Sequence, residues 1–220
     1  MAGLKSILEK DIVSTNAPQL MICILIDASY SLMEDGRMRM VNDGIRAFLK
    51  SGREDIYARD SLDVCFITFG GDGPEIIQRF SNVQKVEFND IVPHGGTPLK
   101  TAVEFAVNEI GMRREFWRNV GVSVYHPWLI ILSDGKSDED VSGPAKAIQK
   151  MYRDHKLKGK CIGVGDGSET EDLKKLAPEG HVETMKALEI TNFFSMLSRS
   201  AAAMSLSAPD AEDDSYEIRI

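Results

Sequence analysis

The feature that most constrains this chain is a continuous apolar run, Leu20-Met21-Ile22-Cys23-Ile24-Leu25-Ile26, closed by the polar cluster Asp27-Ala28-Ser29-Tyr30-Ser31. A strand with one wet face alternates apolar and polar residues; this run does not. Bounded by Pro18 before and polar residues after, it reads as a strand buried on both faces, as in a parallel sheet. Open α/β sheets place ligand sites beyond the carboxyl ends of their strands. The cluster after Ile26 lies there, and it sets one carboxylate and two hydroxyls in one tight turn. Such hard oxygens suit Mg²⁺ or Mn²⁺.

The rest of the chain alternates between two periods. Met38, Val41, Ile45, Phe48 and Leu49 recur at helical spacing and predict a helix over about 37–51. Residues 62–69 form the next strand, Gly70-Gly71-Asp72-Gly73-Pro74 a turn, and 75–80 a short return strand. Strands joined by so short a turn are antiparallel, so this edge departs from the parallel pattern. Gly95-Gly96-Thr97-Pro98 opens a helix through Leu99, Ala102, Val103, Ala106, Val107 and Ile110, with Thr97 expected as N-cap and Pro98 in the first turn.

Residues 113–126 read as a longer connection, with Arg113, Arg114 and Arg118 as a solvated face. Residues 128–132 read as another buried strand, ending in Ser133-Asp134-Gly135. A helix over about 142–154, a strand over 160–165, helical turns over 170–176 and a short strand over 181–185 follow. The last helix, 190–206, turns Phe193, Phe194, Leu197, Ala201 and Met204 toward the core.

Strands alternating with helices predict an α/β fold: a doubly wound, mostly parallel sheet with one antiparallel edge strand and helices on both faces, Rossmann-like in layout. The 220 residues suffice for one sizeable core, and no composition break divides them. The expected domain runs over 19–206. Residues 1–18 are a lead-in, where the pattern from Leu4 to Ile12 fits a helix and an extended segment equally; 207–220 are an acidic, flexible tail.

Composition excludes several functions. A net charge of −8 argues against a nucleic-acid binder that works by neutralising phosphates. Cys23, Cys65 and Cys161 lie in separate apolar runs and read as buried thiols, not as a disulfide framework. No CxxC or paired-His spacing suggests zinc. His94, His126, His155 and His181 are scattered and read as structural. Gly163-x-Gly165-x-Gly167 departs from the dinucleotide pattern and follows a late strand. No secretory h-region or membrane-spanning run is visible, so a cytoplasmic location is expected.

Three polar segments remain: Asp27/Ser29/Ser31, Thr97, and Ser133/Asp134. Singly, the serines read equally well as helix caps and Asp134-Gly135 as a turn. Together they place hydroxyls and carboxylates, without His or Cys, at strand ends and a helix start. Asp27-x-Ser29-x-Ser31, Gly96-Thr97-Pro98 and Ser133-Asp134-Gly135 resemble the metal-ion-dependent adhesion site (MIDAS) of von Willebrand factor A (VWA) domains, over about 19–206. Within that family the chain looks most similar to the stand-alone bacterial type of tellurium-resistance and stress clusters (TerY-like).

The resemblance implies a metal-dependent protein-interaction module rather than an enzyme. Asp27, Ser29, Ser31 and Thr97 match metal-site positions, and Asp134 matches a position that often acts through water. An open coordination position would accept a Glu or Asp of a partner protein. Tyr30 stands where members often carry Gly and would be strained if that position needed a positive φ. Asp27 is expected at a surface-facing strand end, replaceable by Ala without loss of the fold. The alternative is a Mg²⁺-dependent phosphohydrolase with Asp27 as nucleophile. That chemistry, by resemblance to haloacid dehalogenases, wants a second Asp two residues on; Ser29 stands there, with no other general acid nearby.

Overall fold

The computed structural model describes residues 17–71, 73–135, 137–165 and 170–206. The lead-in up to residue 16 and the acidic tail lie outside the described residues. In chain order the elements are β1 (Leu20–Asp27), α1 (Arg37–Glu54), α2 (Ala58–Ser61), β2 (Leu62–Gly70), β3 (Gly73–Asn82), α3 (Leu99–Asn119), β4 (Trp128–Ser133), α4 (Ser142–Arg153), β5 (Lys158–Val164), α5 (Glu171–Leu176), β6 (Val182–Met185) and α6 (Ala187–Ser205). A 3-10 stretch, Tyr30–Gly36, joins β1 to α1.

The strands form one sheet in the order β3-β2-β1-β4-β5-β6. Every neighbouring pair is parallel except β2 and β3, which pair antiparallel across the tight Gly70–Gly73 turn. All residues of β1 are buried because both faces are covered. Leu20, Ile22, Ile24 and Ile26 join one apolar layer with α1 and α6; Met21, Cys23 and Leu25 join the other with α3, α4 and α5. The period of two along a strand is thus split between two helical layers. The doubly wound fold with one antiparallel edge is the one the sequence predicts.

Phe193, Phe194, Leu197, Ala201 and Met204 are buried, as their spacing requires. Phe194 packs where α1 carries no side chain: a Cβ at Gly44 would fall 2.3 Å from its ring. The three cysteines are free and buried. No described helix is long and apolar enough to cross a membrane.

Two expectations need correction. Residues 113–119 are not a connection, because α3 continues to Asn119. Arg113 occupies an apolar slot of the helical stripe and is buried, not solvated. Its Nε and Nη2 donate to Asp63 of β2 at 2.6 and 3.0 Å, and Trp117 Nε1 donates to the same carboxylate at 2.6 Å. The guanidinium also lies 4.8 and 4.7 Å from the Phe116 and Trp117 ring centres. A buried charge persists only when paired and hydrogen-bonded, and Asp63 meets that need from a distant strand. Thr97, in turn, is not a side-chain cap. α3 starts at Leu99 behind Pro98, without a side-chain cap bond, and the Thr97 carbonyl accepts from Leu99 N at 2.8 Å.

Candidate metal centre

β1 and β4 lie side by side with Ile26 opposite Leu132, so Asp27 and Ser133 end adjacent strands together. This is the switch point, where the chain crosses to one side of β1 over one face and to the other side over the opposite face. Ligand crevices of open sheets form there. Ser133 Oγ donates to Asp27 Oδ2 at 2.5 Å, and Ser29 N donates to Asp27 Oδ1 at 2.8 Å. Asp27 is 0% exposed, which corrects the expectation of a surface-facing carboxylate. Burial pushes its carboxyl pKa up to about 6; the hydrogen bonds from Ser133 and Ser29 oppose this, and the Asp134 charge adds to it.

A row of oxygens runs outward from this point. Ser29 Oγ and Ser31 Oγ are 2.8 Å apart, and Ser31 Oγ donates to Asp134 Oδ1 at 2.8 Å. Ser31 has one hydroxyl proton, so with that proton on Asp134 the Ser29–Ser31 bond is donated by Ser29. Ser29 and Asp134 are buried and Ser31 is exposed, so the row opens to solvent at Ser31. The capping alternative for the serines fails: Ser29 makes no side-chain cap bond to the 3-10 stretch, and the N-cap of α1 is Gly36.

The third segment is laced to both strand-end loops. His94 N donates to Ala28 O at 2.5 Å and Tyr30 N to Gly95 O at 3.3 Å. Thr97 N donates to Asp138 Oδ2 at 2.5 Å, and Thr97 O accepts from Asp138 N at 3.1 Å. Gly95 has φ +76°, and a Cβ there would fall 2.0 Å from Gly71 Cα, so only glycine fits this crossing. Thr97 therefore lies between the two loops but is held by its backbone; its hydroxyl makes no hydrogen bond among the described residues. The structure joins Asp27, Ser29, Ser31 and Asp134 by side-chain or backbone bonds, and it ties the Thr97 segment to the loops that follow β1 and β4.

Tyr30 is not strained. Its φ is not positive; Asp35 and Gly36 carry the left-handed turn instead, and the Tyr30 side chain is 62% exposed. Two contributors, Asp138 and Arg37, lie outside the polar segments read from the sequence. Ser133, which the sequence places in the third segment but not among the metal ligands, belongs to the Asp27 cradle. Asp138 holds the Thr97 backbone, one helical turn's spacing after Asp134. Arg37, the first residue of α1, reaches Asp134 Oδ2 with Nη1 at 3.1 Å. Its signal is a basic residue at a helix start, where acidic ones are favoured.

The donor set fits a small hard cation. Octahedral oxygen ligands about 2.0–2.1 Å from Mg²⁺ stand roughly 2.8–3.0 Å apart along their edges. The two oxygen–oxygen steps of 2.8 Å in the row are ordinary hydrogen-bond lengths, and they are compatible with that edge. Among the described residues no group of three or more His, Cys, Asp or Glu side chains converges, so the site is hydroxyl-rich and low in charge.

No family model and no curated protein matches the sequence. Solved structures do match. Proximal thread matrix protein 1 from the mussel byssus, in a form with a zinc-occupied MIDAS motif, is 18% identical at TM-score 0.59, over 84% of this chain and 46% of that one. The vWF domain of the type V pili tip protein Mfa5 from Porphyromonas gingivalis is 10% identical at TM-score 0.65, over 90% of this chain and 99% of that one. A von Willebrand factor type A protein from Catenulispora acidiphila is 15% identical at TM-score 0.60, over 84% and 43%. This chain spans about half the length of the mussel chains it matches. The fold is that of VWA domains.

Proposed function

We propose that this protein is a metal-dependent protein-interaction module in which Asp27, Ser29, Ser31, Thr97 and Asp134 hold Mg²⁺ or Mn²⁺ and the loaded site takes a Glu or Asp of a partner protein. The observation that carries this reading is the Ser29–Ser31–Asp134 oxygen row at 2.8 Å steps, with the Asp27 carboxylate buried beneath it. When bound, the ion supplies an electrophilic centre with room for a foreign carboxylate.

The chain's own residues do the rest. Ser133 and the Ser29 N–H orient Asp27. Asp138 holds the Thr97 segment against the strand ends. Tyr30, Met33 and Val92 are 62%, 63% and 73% exposed on two of the site's loops and offer apolar contact around an incoming acid. The zinc-occupied MIDAS of the mussel protein supports the metal reading. The pilus-tip setting of Mfa5 supports a role in capture. The cytoplasmic setting, in a bacterial stress or tellurium-resistance type of system, rests on the sequence resemblance to the stand-alone type. Phosphohydrolysis draws no support: Asp27 is fully buried and both its oxygens accept hydrogen bonds, a poor arrangement for a nucleophile.

The test is calorimetric titration of the EDTA-stripped protein with Mg²⁺ and Mn²⁺. It is paired with a pull-down by wild type and Ser29→Ala, with and without EDTA. Saturable single-site binding, and a partner lost in EDTA and in the variant, is the expected result. A protein that binds neither ion at millimolar concentration sinks the proposal.

A further inference from the structure

Arg37 is the one cation among the described residues that bonds a site carboxylate. Its side chain is 16% exposed and that of Asp134 is 3% exposed, so the pair is largely withdrawn from water. The Asp134 oxygens are shared out: Oδ1 accepts from Ser31, Oδ2 from Arg37.

Local preference opposes an arginine here. It opens α1, where the helix dipole favours acids; that first turn has none, and the N-cap Gly36 supplies no side chain. A second accommodation lies across the crevice. Gly165 follows β5 at φ +97°, and a Cβ there would fall 2.8 Å from Arg37 Cζ and Nε. An unfavoured helix start and a glycine-sized space converge on one guanidinium, and its best contact is the site carboxylate.

Resting on the metal-site reading above, we propose that Arg37 is the resident counter-cation of the site. It compensates Asp134 before any divalent ion arrives, lowers affinity for that ion, and leaves the loaded site positive toward an acidic partner. With Asp27 and Asp134 ionised and a divalent ion present, these groups sum to one net positive charge with Arg37 and to none without it; Asp35 also lies 3.6 Å from Arg37, but its side chain is 81% exposed and water screens its charge. A charge this close, screened by little water, weighs on a second cation more than a surface arginine does.

The experiment titrates Mn²⁺ alone into EDTA-stripped wild type, Arg37→Gln, Arg37→Lys and the control Arg39→Gln, whose arginine is exposed on the same helix. Arg37→Gln binds Mn²⁺ roughly five- to ten-fold more tightly, the size expected for removing one nearby, partly screened charge. Arg37→Lys and Arg39→Gln stay within about two-fold of wild type, since the first keeps the local charge and the second removes a remote one. The metal-free melting temperature falls in Arg37→Gln, and its rise on adding Mn²⁺ is larger than in wild type.

The sign is the discriminator, because loss of a purely structural arginine would weaken Mn²⁺ binding. Equal or weaker binding by Arg37→Gln overturns the inference. Should that variant not fold, Arg37→Met, which keeps the stem packed near Gly165, is held to the same outcome. Binding by Arg37→Gln with none by wild type supports the inference and overturns the proposed function; binding by neither overturns both.

Discussion

Ser31 Oγ donates to Asp134 Oδ1 at 2.8 Å although 103 positions of sequence separate them. The bond closes the oxygen row across the gap between the β1 and β4 ends, and it is made by the most exposed hydroxyl of the row. Ser31→Ala should therefore be a clean probe. It removes a donor at the surface, so stability should change by less than about 1 kcal/mol. Mn²⁺ affinity should fall by about 10- to 100-fold, the range typical of residues that bind or orient metal ligands. Combined with Ser29→Ala, the losses should be less than additive, since the two hydroxyls form one row. Undiminished Mn²⁺ binding by the double variant would remove the hydroxyls from the site.

Asp27 makes the metal-free protein sensitive to pH in a defined direction. Its folded pKa, about 6, lies above the ordinary value of 3.8. A raised folded pKa gives a stabilising contribution that is full below about pH 4 and lost as pH rises through about 6. With 1.36 kcal/mol per unit, that contribution is on the order of 3 kcal/mol. Asp27→Asn cannot ionise, so in EDTA the stability gap between variant and wild type should move in the variant's favour from pH 4.5 to pH 7.5. Urea midpoints at the two pH values measure it. A gap that does not change with pH means the Asp27 carboxyl titrates normally. Asn is the informative replacement, because Ala would leave the Ser29 N–H and the Ser133 hydroxyl without their acceptor.

The Asp63–Arg113 pair predicts a stability defect that spares the site. Asp63 is the second residue of β2, at the strand end opposite the Asp27 loop, and its side chain is fully buried against Arg113 and Trp117. Asp63→Ala strands a buried guanidinium and should cost about 3–5 kcal/mol. Asp63→Leu combined with Arg113→Met removes both charges and should recover most of that loss. Mn²⁺ affinity of the folded variants should equal that of wild type. A loss under about 1 kcal/mol in Asp63→Ala would mean that the pair is hydrated rather than buried.

The uninterrupted apolar run of β1, the helical spacing of α1 and α6, and the turn after β2 were legible because each is a local pattern with its own period. The three polar segments of the site were legible for a related reason: each directly follows a strand or opens a helix. Arg113 was misread because a charge in an apolar stripe looks like the end of a helix until its partner is known, and that partner sits 50 positions away. Thr97 looked like a cap because Thr before Pro favours that role, yet Asp138 takes its N–H. Arg37 marks only the start of a helix in the sequence, and nothing nearby in sequence marks Asp134 as its partner.

By itself the sequence determined which stretches become strands and helices, which apolar side chains must be buried, and which oxygen-bearing residues stand at strand ends. Periodicity and turn chemistry act over a few residues, so they are written locally. The tertiary structure alone decided that Asp27 is sealed from solvent, that Ser31 meets Asp134, and that Arg37 shares that carboxylate. Those outcomes depend on strand order and register, which bring together groups about a hundred residues apart and set how much water remains between them.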